Sequence, residues 1–315
     1  MMLKLIPHQT NIPFLNFRKV TLVASLLLVL GSIGSWLTIG LNTGIDFRGG
    51  FLIEVRSNAG PADIPQLRDD LGALGLGDIS LQEFGTETDV LIRVQSQNLG
   101  ESEALSEADK AAVVLVKETI GDDYTIRRTE YVGAVVGGEL REKATWAIIA
   151  ALGAIMIYIW FRFEWPFAIS AIVALSHDVI STVGLFSVTG FEFNLATVAA
   201  LLTIAGYSIN DTVVVFDRVR DNLHRYKSEE IPFILNKSLN ETLRRTFMTS
   251  ITTLLALGSI YLFGGAVLAD FALAMIWGVI IGTYSSIFVA VGTLAWFDLH
   301  PKDDEDEPPI PEYER

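Results

Sequence analysis

The chain has 315 residues, half of them hydrophobic, yet its net charge is −14. Apolar blocks alongside acidic ones suggest segregation between membrane and water. The absence of cysteine excludes disulfides, thiolate chemistry and cysteine metal sites, and four histidines without HExxH or clustered spacing argue against zinc.

Residues 1–19 contain Lys4, Arg18 and Lys19 and read as a cytoplasmic N-terminus. The apolar run 20–39 is about 20 residues long, beyond a signal h-region of about 7–15, and it lacks an Ala-x-Ala site. It reads as a retained anchor. Uncharged apolar windows predict five further spans, near 144–161, 166–189, 194–216, 246–263 and 270–297. Lys and Arg crowd the stretch 217–245, expected as a cytoplasmic loop, whereas Gly190-Phe-Glu-Phe193 and residues 264–269 have none. That asymmetry places both termini in the cytoplasm and makes 41–143 an extracytoplasmic domain.

Within 41–143 the pattern predicts a strand over 51–56, a helix over 62–75, strands over 79–84 and 89–95, a helix over 103–119 and a strand over 124–131. The order β-α-β-β-α-β implies a ferredoxin-like α+β domain between helices 1 and 2 of a six-span α-helical membrane protein. With 19 acidic against 10 basic side chains it is an unlikely partner for nucleic acid. The pairs Gly49-Gly50 and Gly137-Gly138 lack a nucleotide-binding context, and no cofactor is expected.

The region 144–297 then reads as spans 2–6. The link 161–166 predicts a tight hairpin with Trp160 and Trp165 at interface depth. His177 and Asp178 fall mid-span and read equally as a functional pair or a satisfied polar core. Residues 231–241 place Ile231, Ile234, Leu235 and Leu239 on one face, resembling an interfacial helix against membrane lipid but reading better as an ordinary amphipathic connector. Gly31-x-x-Gly34 and the pair Gly278 and Gly282 mark close helix contacts. The tail 298–315 is acidic, proline-rich and expected to be disordered and cytoplasmic.

The sharpest feature is Asp211, a carboxylate inside the apolar run 194–216. A charge there costs at least about 2.5 kcal/mol, so it faces a partner, a cavity or an ion path. Thr203, Tyr207, Asn210 and Asp211 share one helical stripe, and Arg245 is followed on one face by Thr249, Thr252 and Thr253. Two such stripes suggest a hydrated seam in which Arg245 reaches Asp211 and the acid loads and releases a proton; the alternatives are a neutral, hydrogen-bonded packing acid and an arginine that only snorkels to headgroups.

Several motifs together resemble the SecF family. They are Gly44-Ile-Asp-Phe-Arg-Gly-Gly50, Ala174-Leu-Ser-His-Asp178, Gly206-Tyr-Ser-Ile-Asn-Asp-Thr-Val-Val-Val-Phe-Asp-Arg218, Arg244-Arg-Thr-Phe-Met-Thr-Ser-Ile-Thr-Thr253 and Tyr261-Leu-Phe-Gly-Gly265. The resemblance covers the chain from the first span to the sixth. It implies the smaller subunit of the SecD/SecF export complex, related to the RND transporters. Implied partners are SecD, the SecYEG channel, YajC, SecA functionally, and translocating preproteins. The implied activity is proton-motive-force-driven assistance to late translocation and release. The family's proton-translocating residues map onto Asp211, Arg245 and the adjacent Asn210, with His177, Asp178, Thr249 and Thr253 as supporting polar groups. Its exit motif maps onto Asp46, Gly49 and Gly50. Alternatives are half of an RND-type small-molecule or lipid exporter, or a non-energised structural subunit. No GxSxG, membrane HExxH or paired intramembrane aspartates suggest an enzyme.

Overall fold

The computed structural model describes residues 10–77, 79–84, 86–96, 107–264 and 266–299. The acidic tail and the first turn of the helix expected from 103 lie outside them. Among the described residues, six helices are long and apolar enough to cross a membrane. They are α1 (Arg18–Thr38), α5 (Ala134–Arg162), α6 (Trp165–Thr189), α7 (Leu195–Arg225), α8 (Ile231–Phe263) and α9 (Ala266–Ser285). A π-helical turn over Ser286–Ala290 carries α9 into the short α10 (Val291–Leu294).

Between α1 and α5 lies the α+β unit. It comprises a single turn, α2 (Ile45–Arg48), then β1 (Gly50–Ser57), α3 (Ile64–Gly72), β2 (Ile79–Phe84), β3 (Thr86–Gln95), α4 (Glu107–Ile120) and β4 (Tyr124–Val132). The strands form an antiparallel sheet in the order β2-β3-β1-β4, with Phe51 opposite both Val94 and Tyr131. Strand alternation puts Phe51, Ile53, Val55, Val90, Ile92 and Val94 on one face, where Leu67 and Leu71 of α3 and Ala112, Val116 and Ile120 of α4 cover them. Asp63 caps α3 by accepting from the Gln66 amide at 3.0 Å. The opposite face is short of partners of its own. Its Leu52 and Leu91 pack on Ile45 of α2, where the unit meets the helices.

In the helical part α6, α7 and α9 are the interior, and α1, α5 and α8 the periphery. Glycine sets the closest approaches. A Cβ at Gly278 would enter the side chain of Ile204 on α7, one at Gly282 would lie 3.2 Å from Ser208 Cβ, and one at Gly184 would collide with Ser32 of α1. Gly278 and Gly282 therefore seat α9 on α7, as their spacing suggested. Gly31 and Gly34 do not act this way: nothing lies within 4 Å of a Cβ at either.

The stretch 217–245 is not a loop. α7 runs on to Arg225 and α8 begins at Ile231, leaving only residues 226–230 between them. The apolar face of the amphipathic stretch exists and faces protein, as an ordinary connector would: Ile234, Leu235 and Leu239 are buried in one cluster with Val219 and Leu223 of α7. Charge ended the predicted spans because hydropathy sees the edge of the membrane, whereas the helices extend past it as a packed hairpin.

Candidate functional site

Asp211 sits on α7, 2% exposed, and its Oδ2 is buried with no hydrogen-bond partner. Arg245 on α8 is exposed, close enough to act on Asp211 through space, yet joined to it by no ion pair. The expected stripe on α7 divides. Thr203, Gly206 and Asn210 are exposed on one polar strip, while Asp211 turns inward and the Tyr207 hydroxyl is buried without a partner. On α8, Arg245 and Thr252 are exposed with Thr249 half-buried between them. Thr249 Oγ1 donates to the Thr246 carbonyl at 2.8 Å, and Thr253 is half-buried. Two adjacent helices thus present polar groups outward from an apolar bundle, beside a carboxylate that nothing neutralises directly.

Asp178 is held in the opposite way. Fully buried on α6, it accepts from Ser208 of α7 at 2.5 Å and Ser285 of α9 at 2.7 Å through Oδ2. Its Oδ1 lies 2.9 Å from His177 Nδ1. One turn along, Thr212 and Ser286 hydroxyls are 2.9 Å apart. The three interior helices are therefore cross-linked through one carboxylate and four hydroxyls. Sequence reasoning found His177 and Asp178 but missed Ser208, Ser285, Thr212 and Ser286. A hydroxyl barely disturbs hydropathy, and the only available signal was the Ser285-Ser286 pair beside the Gly278 and Gly282 stripe.

The motif 44–50 is a joint. Asp46 Oδ2 accepts from the Leu195 amide, the first of α7, at 2.9 Å, where a carboxylate also meets the positive end of the helix dipole. Gly44 N donates to Phe193 O, Phe193 N to Asn42 O, and the Asn42 side-chain amide to Gly190 O. Gly49 and Gly50 take φ of 73° and 133°, and a Cβ at Gly50 would overlap the Val94 carbonyl of β3. Gly137 at the start of α5 completes the joint, since a Cβ there would lie 2.9 Å from the Gly49 amide nitrogen. Gly137 thus permits backbone-to-backbone contact between α5 and the Phe47–Gly49 turn, while Gly50 permits the close approach of β1 to β3.

A second tie went unnoticed in the sequence: Arg93 of β3 forms a buried ion pair with Glu192 in the α6–α7 turn. Burial pushes the Glu192 carboxyl above the ordinary glutamate value, against the opposing pull of Arg93. A cavity of about 150 Å³ lies beside it, lined in part by Asp46, Glu54, Arg128, Glu192 and Asp270.

Six helices long and apolar enough to cross a membrane, an interior cross-linked by hydroxyls around one acid, a second acid left unpaired, and an α+β unit jointed to the helix bearing that acid define a multi-pass membrane protein. Residues 113–300 match the family described as protein export membrane protein SecD/SecF, C-terminal. The protein translocase subunit SecF of Rickettsia bellii (strain OSU 85-389) is 43% identical over 302 residues, covering 94% of this chain and 96% of that one. A crystal structure of SecDF, a translocon-associated membrane protein from Thermus thermophilus, matches 94% of this chain with a TM-score of 0.80 at 35% identity. SecDF in a super-membrane-facing form matches 93% with a TM-score of 0.65. In both cases this chain spans 39% of the SecDF chain. The chain belongs to the SecD/SecF family of protein translocase subunits.

Proposed function

We propose that the protein is the smaller, proton-driven subunit of a bacterial inner-membrane SecD/SecF complex, assisting late translocation and release of exported proteins beside SecYEG, with YajC and SecA as further partners. It is a transport subunit and not an enzyme. Its termini are read as cytoplasmic, as the Lys and Arg pattern directs, and its unit over 41–143 as a periplasmic domain of the ferredoxin-like split type.

The carrying observation is Asp211: a buried carboxylate oxygen without a donor, on a membrane helix, with the Arg245 cation nearby but not bonded to it. In this reading Asp211 takes up a proton in one arrangement of α7 and α8 and releases it when Arg245 approaches. Such an acid exchanges its proton when the helices shift. The exposed strip Thr203, Gly206 and Asn210, with Arg245 and Thr252, is the face on which SecD would close to form a hydrated path.

Coupling follows from one rigid element. α7 carries Asp211 and, sixteen residues away or about 24 Å at 1.5 Å per residue, the Leu195 amide bonded to Asp46. A displacement of α7 driven at Asp211 is delivered to the Asp46–Gly50 joint and hence to β1. A proton crossing roughly 150 mV supplies about 3.5 kcal/mol, enough to shift a two-state domain equilibrium several hundredfold. The test is reconstitution with SecD and SecYEG in proteoliposomes. Release of a translocating preprotein should accelerate with an imposed proton gradient and lose that dependence without this chain. Release indifferent to the gradient would leave the protein a scaffold.

A further inference from the structure

A groove of about 750 Å³ runs between α1, α6 and α10, and neither Asp211 nor its exposed strip lines it. Its walls are apolar, with Val23, Val29 and Val173 among them, and Arg18, Lys19 and Trp296 stand at one end. His177 lines the groove deeper in, 3% exposed, with Nδ1 engaged by Asp178 and Nε2 buried without a partner. Among the described residues neither Arg18 nor Lys19 makes an ion pair or hydrogen bond through its side chain. From these features we infer that the groove is a binding site for an anionic diacyl phospholipid, the phosphate held by Arg18 and Lys19 and an acyl chain lying along α1.

Three features favour this occupant. From Lys19 to Val29 the groove follows α1 for ten residues, about 15 Å, which is half of a hydrocarbon core of about 30 Å and so the depth of one leaflet. The unpaired cations sit where a phosphate would be, and Trp296 is placed at interface depth. The leaflet is the cytoplasmic one on the orientation proposed above, and that leaflet is the anionic one. The binding itself depends on neither the orientation nor proton coupling.

The test is native mass spectrometry of the full chain in detergent micelles, with phosphatidylglycerol and phosphatidylcholine of identical acyl chains offered together. The phosphatidylglycerol adduct should exceed the other at least about fivefold, as expected for cations each contributing about 1 kcal/mol toward an anionic lipid. Arg18→Gln with Lys19→Gln should remove that preference, and Arg141→Gln with Lys143→Gln, at the other end of the bundle, should keep it. Val173→Trp, which fills the groove and leaves both cations, should reduce both adducts. Inorganic phosphate should not displace the lipid. Equal adducts on the wild type, an unchanged preference in the Arg18/Lys19 variant, undiminished binding in Val173→Trp, displacement by phosphate, or a lipid-free dimer closing the groove would each overturn the assignment.

Discussion

Asp178 and Asp211 lie on adjacent helices, and both are buried, but their surroundings assign them different work. Asp178 is bonded to Ser208, Ser285 and His177, so its removal strands three polar groups in an apolar interior. Asp178→Ala should lower stability by about 2 kcal/mol or more, and Asp178→Asn by roughly half that, because an amide still accepts from the serines. Thermal unfolding in matched detergent reads both. In the α+β unit, Asp89 receives two bonds from Arg56, at 2.6 and 2.7 Å, and one from Thr86 at 2.9 Å. The Arg56 bond holds its carboxyl below the usual aspartate value of 3.8. The folded carboxyl therefore keeps its charge where the unfolded one would protonate. The stability it contributes is fully present above pH 3.8 and drains away as pH falls below that. Unfolding scans from pH 5 to pH 2.5 should show a steeper acid loss in wild type than in Asp89→Asn; identical slopes would contradict the assignment. At this scale the sequence revealed charges in apolar runs, because one carboxylate changes local hydropathy by several kcal/mol. It hid their hydroxyl partners, which cost far less and come from three different helices.

At the scale of elements, α7 is the member through which everything is joined: Asp46 holds its first turn, Ser208 and Asp211 its middle, and the α8 hairpin its far end. Gly278→Leu should push α9 off Ile204 and destabilise the helical interior by about 1–3 kcal/mol or more, read as a lowered unfolding midpoint. Gly137→Leu should instead separate α5 from the Phe47–Gly49 backbone. Its expected signature is lost preprotein release with the unfolding midpoint of the helices unchanged and proton flux retained. A variant with normal release would show that the joint transmits nothing. The spans and strands were legible from periodicity, and so was the face formed by Ile234, Leu235 and Leu239. The identity of what covers that face was not, since an amphipathic helix reads alike whether it lies on lipid or on α7. The Arg93–Glu192 tie was invisible for a related reason: 99 residues separate the partners, and each looks like an ordinary surface charge.

For the whole molecule, the two SecDF forms match this chain with different TM-scores, which means that the two forms differ in shape. On the function proposed above, the joint built from glycines and one capping carboxylate would let the α+β unit move against the helices as α7 shifts. Protonation of Asp211 is proposed to drive that movement. The most direct test is proton flux into inverted vesicles containing this chain with SecD, comparing wild type with Asp211→Asn at equal protein levels. Flux is expected in wild type and none above background in Asp211→Asn. Undiminished flux in Asp211→Asn would contradict it.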